Sequence, residues 1–218
     1  YGNVAKVYIV QDTQLDSSSG ANSDSRIINP FALNLYTLGY DSGKRLSMVN
    51  QAVKENIQTY LTQFRMVTDA VNIKDAFIIN IGVRFNLLTK SGYNKEEVVL
   101  KAIQKVKDFF NIDKWQIGQP IVLADLAYQL SLTDGVSAVV PPVDDNPNGL
   151  PVTIVNFFKE SDGYSGNVYD IASATKDGIV YPSLDPSCFE LKFANADIEG
   201  RVVGDSAGSP GNSNGGSY

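Results

Sequence analysis

Histidine is absent from all 218 residues, and cysteine occurs once, at Cys188. Without imidazole, general acid–base catalysis by histidine is excluded. With a single thiol and no histidine, a structural zinc site is excluded as well. A lone cysteine cannot close an internal disulfide, so this chain is expected to fold without that staple. No base stands ready to activate Cys188, which reads as a buried, inert thiol. Asn-x-Ser/Thr sequons are also missing. Both features fit assembly in a reducing cytosol. No apolar run approaches the roughly 18–20 residues of a membrane helix, so no membrane insertion is expected. The chain opens on Tyr1 without a charged-then-apolar leader, and it reads as a fragment or processed product of a longer protein.

Positive charge is in short supply. Eighteen Lys and Arg face 24 Asp and Glu, for a net charge of −6. A nucleic-acid binder needs a basic patch to displace counterions from phosphate, so that class is disfavoured. The one local cluster, Lys101, Lys105 and Lys107, falls on the polar side of a predicted helix and reads as a solvated face.

What the chain does have is apolar residues, 43% of the total, enough for a real core. The densest signal lies between Val98 and Val140. Val98, Val99, Ala102, Ile103, Val106, Phe109 and Phe110 recur at helical spacing. Asn94 is placed to cap that helix, and Glu96 and Glu97 suit its positive end. Asn111 to Gln119 interrupts it. Pro120 stands where a second helix would open, because proline's missing N–H costs nothing there. Ile121, Leu123, Ala124, Leu126, Ala127 and Leu130 supply that helix's apolar face, and Asp134-Gly135 turns into a strand at Val136–Val140.

Upstream, Val4–Val10 and Phe31–Tyr40 read as strands, and Lys44–Phe64 as a helix. Ala76–Leu88 alternates strictly. Phe77, Ile79, Ile81, Val83, Phe85 and Leu87 are expected on a buried face, with Asn80, Gly82, Arg84 and Asn86 facing solvent or a partner. The predicted fold class is α+β: a two-layer α/β sandwich, with a mixed sheet and helices on one face, over residues 1–140. A Pro-rich linker follows at 141–151, then a small loop- and β-rich C-terminal segment at 152–203, and a flexible low-complexity tail at 204–218. The 152–203 segment is too short to bury much surface alone, so it is expected to dock on the first domain or on another chain.

Three chemical motifs are weighed against plainer readings. Asp144 to Gly149 matches the first half of a calcium loop, but Val155 stands where a bidentate Glu belongs, so a turn-rich linker is preferred. Gly39 to Arg45 resembles a phosphate-binding loop one residue short, with Arg45 in place of the magnesium-holding hydroxyl, so a turn that opens a helix is preferred. Asp113, Asp125 and Asp134 are the candidate acid–base carboxylates. Asp113 and Asp134 sit in a loop and a turn, where Asp serves the backbone, and no catalytic residue is assigned. Trp115 has two readings, a plug at the corner between the helices or an interface anchor. Phe157, Phe158, Tyr164, Tyr169 and Tyr181 share the ambiguity, tilted toward a partner interface. No cofactor, metal or small-molecule substrate is expected.

The string FFNIDKWQIGQPIVLADLAYQLSLTDGVSAV resembles the baseplate J-like family of contractile injection machines. The residues that carry the likeness are Ile112, Asp113, Trp115, Ile117, Gly118, Pro120, Ile121, Gly135 and Val136. The later string YSGNVYDIASATKDGIVYPSLDPSCFELKFANADIEGRVV is similar to the C-terminal end of the wedge proteins of T-even-like contractile-tailed bacteriophages. That resemblance implies a structural subunit of a tail baseplate wedge. Such a subunit makes dimer-like and ring contacts with its own copies, binds other wedge proteins and rearranges on sheath contraction. It implies no catalytic or cofactor residue, and a place in the virion after assembly in the host cytoplasm. The alternatives are a carboxylate-dependent cell-wall glycan hydrolase and a host-surface adhesin of a tail.

Overall fold

A computed structural model describes residues 4–11, 32–64, 70–142 and 149–205. In chain order its elements are β1 (Val4–Gln11), β2 (Ala32–Tyr40), β3 (Leu46–Ser47), α1 (Gln51–Thr62), β4 (Ala70–Asp75), β5 (Phe77–Thr89), α2 (Lys95–Phe109), β6 (Ile121–Val122), α3 (Leu123–Ser131), β7 (Val136–Val140), β8 (Val152–Asn156), α4 (Ile171–Ala174), β9 (Thr175–Lys176), β10 (Ile179–Val180), β11 (Ser187–Glu190) and β12 (Ile198–Asp205). The fold is α+β. Its contacts divide the chain into two units. The first holds Tyr1–Ile81, Phe110–Ile121 and Asn156–Lys192, and the second Gly82–Phe109, Val122–Val155 and Phe193–Tyr218. Neither coincides with the expected 1–140 domain or 152–203 segment, because β11 and β12 pair with β5, so the C-terminal segment docks on the chain's own strand, the first of its two expected destinations.

In the first unit, β2 is the inner strand of a four-stranded sheet, antiparallel to β1 and β3 and parallel to β4. Being covered on both faces, it buries two polar side chains, and each is satisfied. Asn34 Oδ1 accepts from Asn72 Nδ2 at 3.3 Å, and Thr37 Oγ1 donates to the Lys74 carbonyl at 3.3 Å. The predicted helix at Lys44–Phe64 is shorter than expected. Lys44 adopts φ 58°, and Asp41 to Arg45 closes a hairpin between β2 and β3. The Asp41 carboxylate accepts the N–H groups of Gly43 and Arg45 at 2.7 and 2.9 Å. The phosphate-loop-like string is therefore a hairpin turn, not the opening of a helix. The helix begins only at α1, where Asn50 Oδ1 caps the Ala52 N–H at 3.0 Å.

Strand β5 contributes to both units. Its expected one-sided burial holds from Val83 to Leu88, where Val83, Phe85 and Leu87 are buried and Arg84 and Asn86 partly exposed, and fails before it: Phe77 is exposed, while every residue from Ile78 to Val83 is buried, Asn80 completely. The reason is pairing. β11 runs parallel to Phe77–Asn80, β12 runs parallel to Val83–Thr89, and β7 and β8 also pair with it. With both edges paired and the Ser165 N–H brought onto the Asn80 amide, the Ile78–Val83 half has no solvent face.

In the second unit, α2 packs on β12 and on α3, burying Val98, Ala102 and Val106. Its start follows the expected cap, with Asn94 Oδ1 accepting the Glu96 N–H at 3.0 Å. α3 buries Leu123, Leu126 and Leu130 and packs on β7. It opens at Leu123 and not at Pro120, because Ile121 and Val122 are extended as β6. β12 continues through Asp205, past the expected start of the tail at Gly204. The half calcium loop at 144–149 falls largely, and the rest of the tail wholly, outside the described residues.

The Asp134-Gly135 turn holds as expected. Gly135 adopts φ +89°, and its carbonyl accepts the Lys90 N–H at 2.9 Å. A Cβ there would lie 2.6 Å from Val98 Cγ2 and 2.7 Å from Tyr93 Cδ1. Gly135→Ala is expected to destabilise the protein by about 1–3 kcal/mol through strain and crowding together. Equilibrium denaturation should show a lower midpoint, and an unchanged midpoint would contradict the packing described.

Candidate interaction surface

The candidate surface lies in the first unit, and its foundation is the loop at 111–119. The Trp115 ring packs on Phe110 with centroids 5.2 Å apart and is only 4% exposed. It is buried in the loop that follows α2 in the chain, so its interface reading is withdrawn. Lys6 fixes the loop from β1: its Nζ donates to the Ile112 carbonyl at 2.6 Å and to the Trp115 carbonyl. Burial lowers the Lys6 pKa, and the nearby Cys188 and Asp113 oppose that shift. The Gly118 N–H donates to the Ser187 carbonyl at 2.8 Å, tying the loop to β11. Asp113 accepts the Tyr40 hydroxyl at 2.9 Å. Burial, with help from Asp113, pushes that phenol up to about 12.

Cys188 is buried on β11, and desolvation pushes its thiol up to about 12, so it stays protonated at neutral pH. This matches the inert thiol expected from the sequence. The candidate carboxylates are engaged or scattered. Asp113 holds Tyr40, Asp134 accepts the Tyr93 hydroxyl at 3.1 Å, and Asp125 is exposed in the first turn of α3. Among the described residues, no three His, Cys, Asp or Glu gather as metal ligands.

The aromatic run is split by the structure. Phe157 stacks on Tyr164 at 5.3 Å and 21°. The Tyr169 hydroxyl donates to the Tyr181 carbonyl at 2.7 Å, and its ring meets Phe189 edge-on at 6.1 Å. These three rings are half-buried and pack within their own unit. Phe158 and Tyr181 remain exposed, at 41% and 46%.

The segment carrying them is held by one buried amide. Asn80 Oδ1 accepts the Ser165 N–H at 2.8 Å, and its backbone carbonyl accepts from Phe157 N at 2.9 Å and Asn156 Nδ2 at 3.0 Å. Its Nδ2 donates to Glu190 Oε2 at 2.8 Å, while Glu190 Oε1 accepts the Leu46 N–H at 2.6 Å. Burial raises the Glu190 pKa against these hydrogen bonds and the Lys192 charge.

Tyr181 borders a cleft of about 590 Å³ with Tyr8, Val10, Pro120, Pro182 and Leu184. Tyr8 is 42% and Leu184 77% exposed, so the cleft rim is apolar and open to a partner. Tyr8 and Leu184 were not singled out from the sequence. The signal was present in Val7-Tyr8-Ile9, three apolar residues in a row within a strand, which leaves apolar groups on both faces. A second cavity, of about 300 Å³, is bordered by Asp41, Asp75, Met48 and Lys192. The Arg45 and Gly43 backbone N–H groups hold Asp41 below the usual carboxylate range, and Asp75 accepts from Lys54 at 2.5 Å. The first cleft can bury apolar side chains of another chain. No protein-family model matches this sequence, and neither does any curated protein.

Folding raises the Glu190 pKa, so the folded state binds that proton more tightly than the unfolded one. Its contribution to stability is therefore greatest below the ordinary carboxyl value and falls as pH rises through the folded value. Glu190→Gln should remove that slope. It should also lower the melting temperature at neutral pH, because one amide oxygen replaces two acceptors, and the new Nε2 would face either the Asn80 Nδ2 or the Leu46 N–H. The expected cost is about 1–3 kcal/mol. A neutral-pH melting temperature equal to wild type would refute the acceptor role of Glu190.

Proposed function

We propose that this chain is a structural subunit of a contractile-tail baseplate wedge. It holds copies of itself and other wedge proteins in place, in the virion, after assembly in the host cytoplasm. The observation that carries the reading is the open apolar cleft with Tyr8, Tyr181 and Leu184 on its rim. Burying such a side chain contributes roughly 1.5–3 kcal/mol. With 42%, 46% and 77% of Tyr8, Tyr181 and Leu184 still exposed, only part of that remains to be gained, about 2–5 kcal/mol in all, near the low end of the roughly 4–15 kcal/mol that association costs. The cleft is thus the energetic centre of a larger contact, on the order of 800 Å² per partner, whose polar rim sets orientation.

Five of the residues that carry the family resemblance have a task in folding, which fits this reading. Trp115 fills a gap, Gly118 and Gly135 adopt positive φ, Ile121 is fully buried, and Val136 opens β7. The motif therefore reads as the signature of a scaffold. A hydrolase reading would turn to the cavity bordered by Asp41 and Asp75, yet a general acid there needs a raised pKa, and Asp41 is shifted the other way.

The test is a binding assay against purified wedge subunits with the double variant Tyr181→Asp/Leu184→Asp. Both side chains are exposed, so the melting temperature should stay at the wild-type value while association weakens at least tenfold. Undiminished binding by a folded double variant, or no binding by wild type, would overturn the proposal. Trp115→Ala serves as the contrast. As a core truncation it should cost about 3–5 kcal/mol in unfolding experiments. A wild-type midpoint would contradict its placement.

A further inference from the structure

The four-stranded sheet of the first unit ends at β1. The strand pairs with β2, and among the described residues its opposite edge carries no strand. A terminal strand presents unpaired N–H and C=O groups and is normally guarded by outward charge, proline or a bulge. Here the only irregularity falls between Val4 and Lys6, and pairing is regular from Lys6 to Gln11. The strand contains no proline, and its one charged residue, Lys6, is turned inward onto the Ile112 and Trp115 carbonyls. The exposed residues are Val7, Tyr8 and Ile9, at 50%, 42% and 60%, and the uncharged Gln11. Such an edge is prepared for addition of another strand.

We propose that the added strand is β1 of a second copy, antiparallel about a two-fold axis near Tyr8. This rests on the reading that the chain works by contact with neighbours, and it names one such contact. In an antiparallel pair centred on Tyr8, Val7 faces Ile9 of the second copy, Tyr8 faces Tyr8, and Lys6 faces Val10. β-branched and aromatic cross-strand pairs are favourable. The usual objection to self-pairing, like charges meeting across the axis, does not arise, since both Lys6 ammonium groups are occupied inside their own units. A charged partner strand would find no complementary charge on this edge. Because each contact is made twice, a short strand suffices as the spine of an isologous interface. Tyr8 and Val10 also border the cleft, so strand pairing and burial of the cleft rim belong to one continuous face.

The test uses the whole chain. Wild type should sediment as a dimer at high concentration. Ile9→Lys should shift it to monomer, with at least tenfold weaker association and an unchanged melting temperature. Tyr8→Cys should give a disulfide-linked dimer on mild oxidation, because centred pairing brings the two Cα atoms within about 4.5–5.5 Å. Wild type should give none, its only thiol being buried. The proposal is overturned by a strictly monomeric wild type, by a dimer that Ile9→Lys leaves intact, or by a Tyr8→Cys variant that does not cross-link. A dimer lost in Tyr181→Asp/Leu184→Asp but kept in Ile9→Lys would assign self-association to the cleft alone. That would sink the strand pairing and leave the contact reading standing.

Discussion

The first unit depends on a single buried polar junction, the Asn80 amide against the Glu190 carboxylate. Four donors converge on this pair. The Ser165 and Phe157 N–H groups and the Asn156 amide reach Asn80, and the Leu46 N–H reaches Glu190. The junction thereby fixes β3, β5, β11 and the loops after β8 in one register. Removing a carboxylate from water is expensive, and the raised Glu190 pKa is the visible sign of that cost. A fully connected network offsets much of it.

Lys6 plays a related role in the same unit. Its ammonium satisfies two carbonyls of the 111–119 loop, and in doing so it holds Trp115 and the neighbouring rings in place. The same orientation removes the charge that would otherwise discourage contact along β1. Stabilising the interior and leaving the edge open are thus two results of one side-chain placement, with burial, not exposure, as the cause.

Much of the fold was legible in the sequence. The apolar stripes of α2 and α3, the Asn94 cap, the Gly135 turn and the strands β1, β2, β5 and β7 all follow from local periodicity and local chemistry. What was not legible depended on partners distant in the chain. The alternation of β5 signals a solvent face only if nothing covers Asn80, and what covers it arrives from residues 156–190. Lys44–Ser47 lacks a helix breaker of its own, and only pairing with β2 makes it extended. The surface followed the same rule. Aromatic content pointed to Phe157, Tyr164 and Tyr169, which the structure folds against their own unit. Tyr8, in a strand read correctly but not marked as a surface, stands at the cleft because β1 is an outer strand.

The parallel partners of β5 lie about a hundred residues further along the chain, at Ser187–Glu190 and Ile198–Asp205. Contacts of such sequence separation form late and slowly. A ribosome making this protein therefore releases an apolar thirteen-residue ribbon long before the segments that shelter it exist. Through that interval the edges of the ribbon stay unpaired, which is the condition under which a nascent polypeptide is most prone to stick to its neighbours.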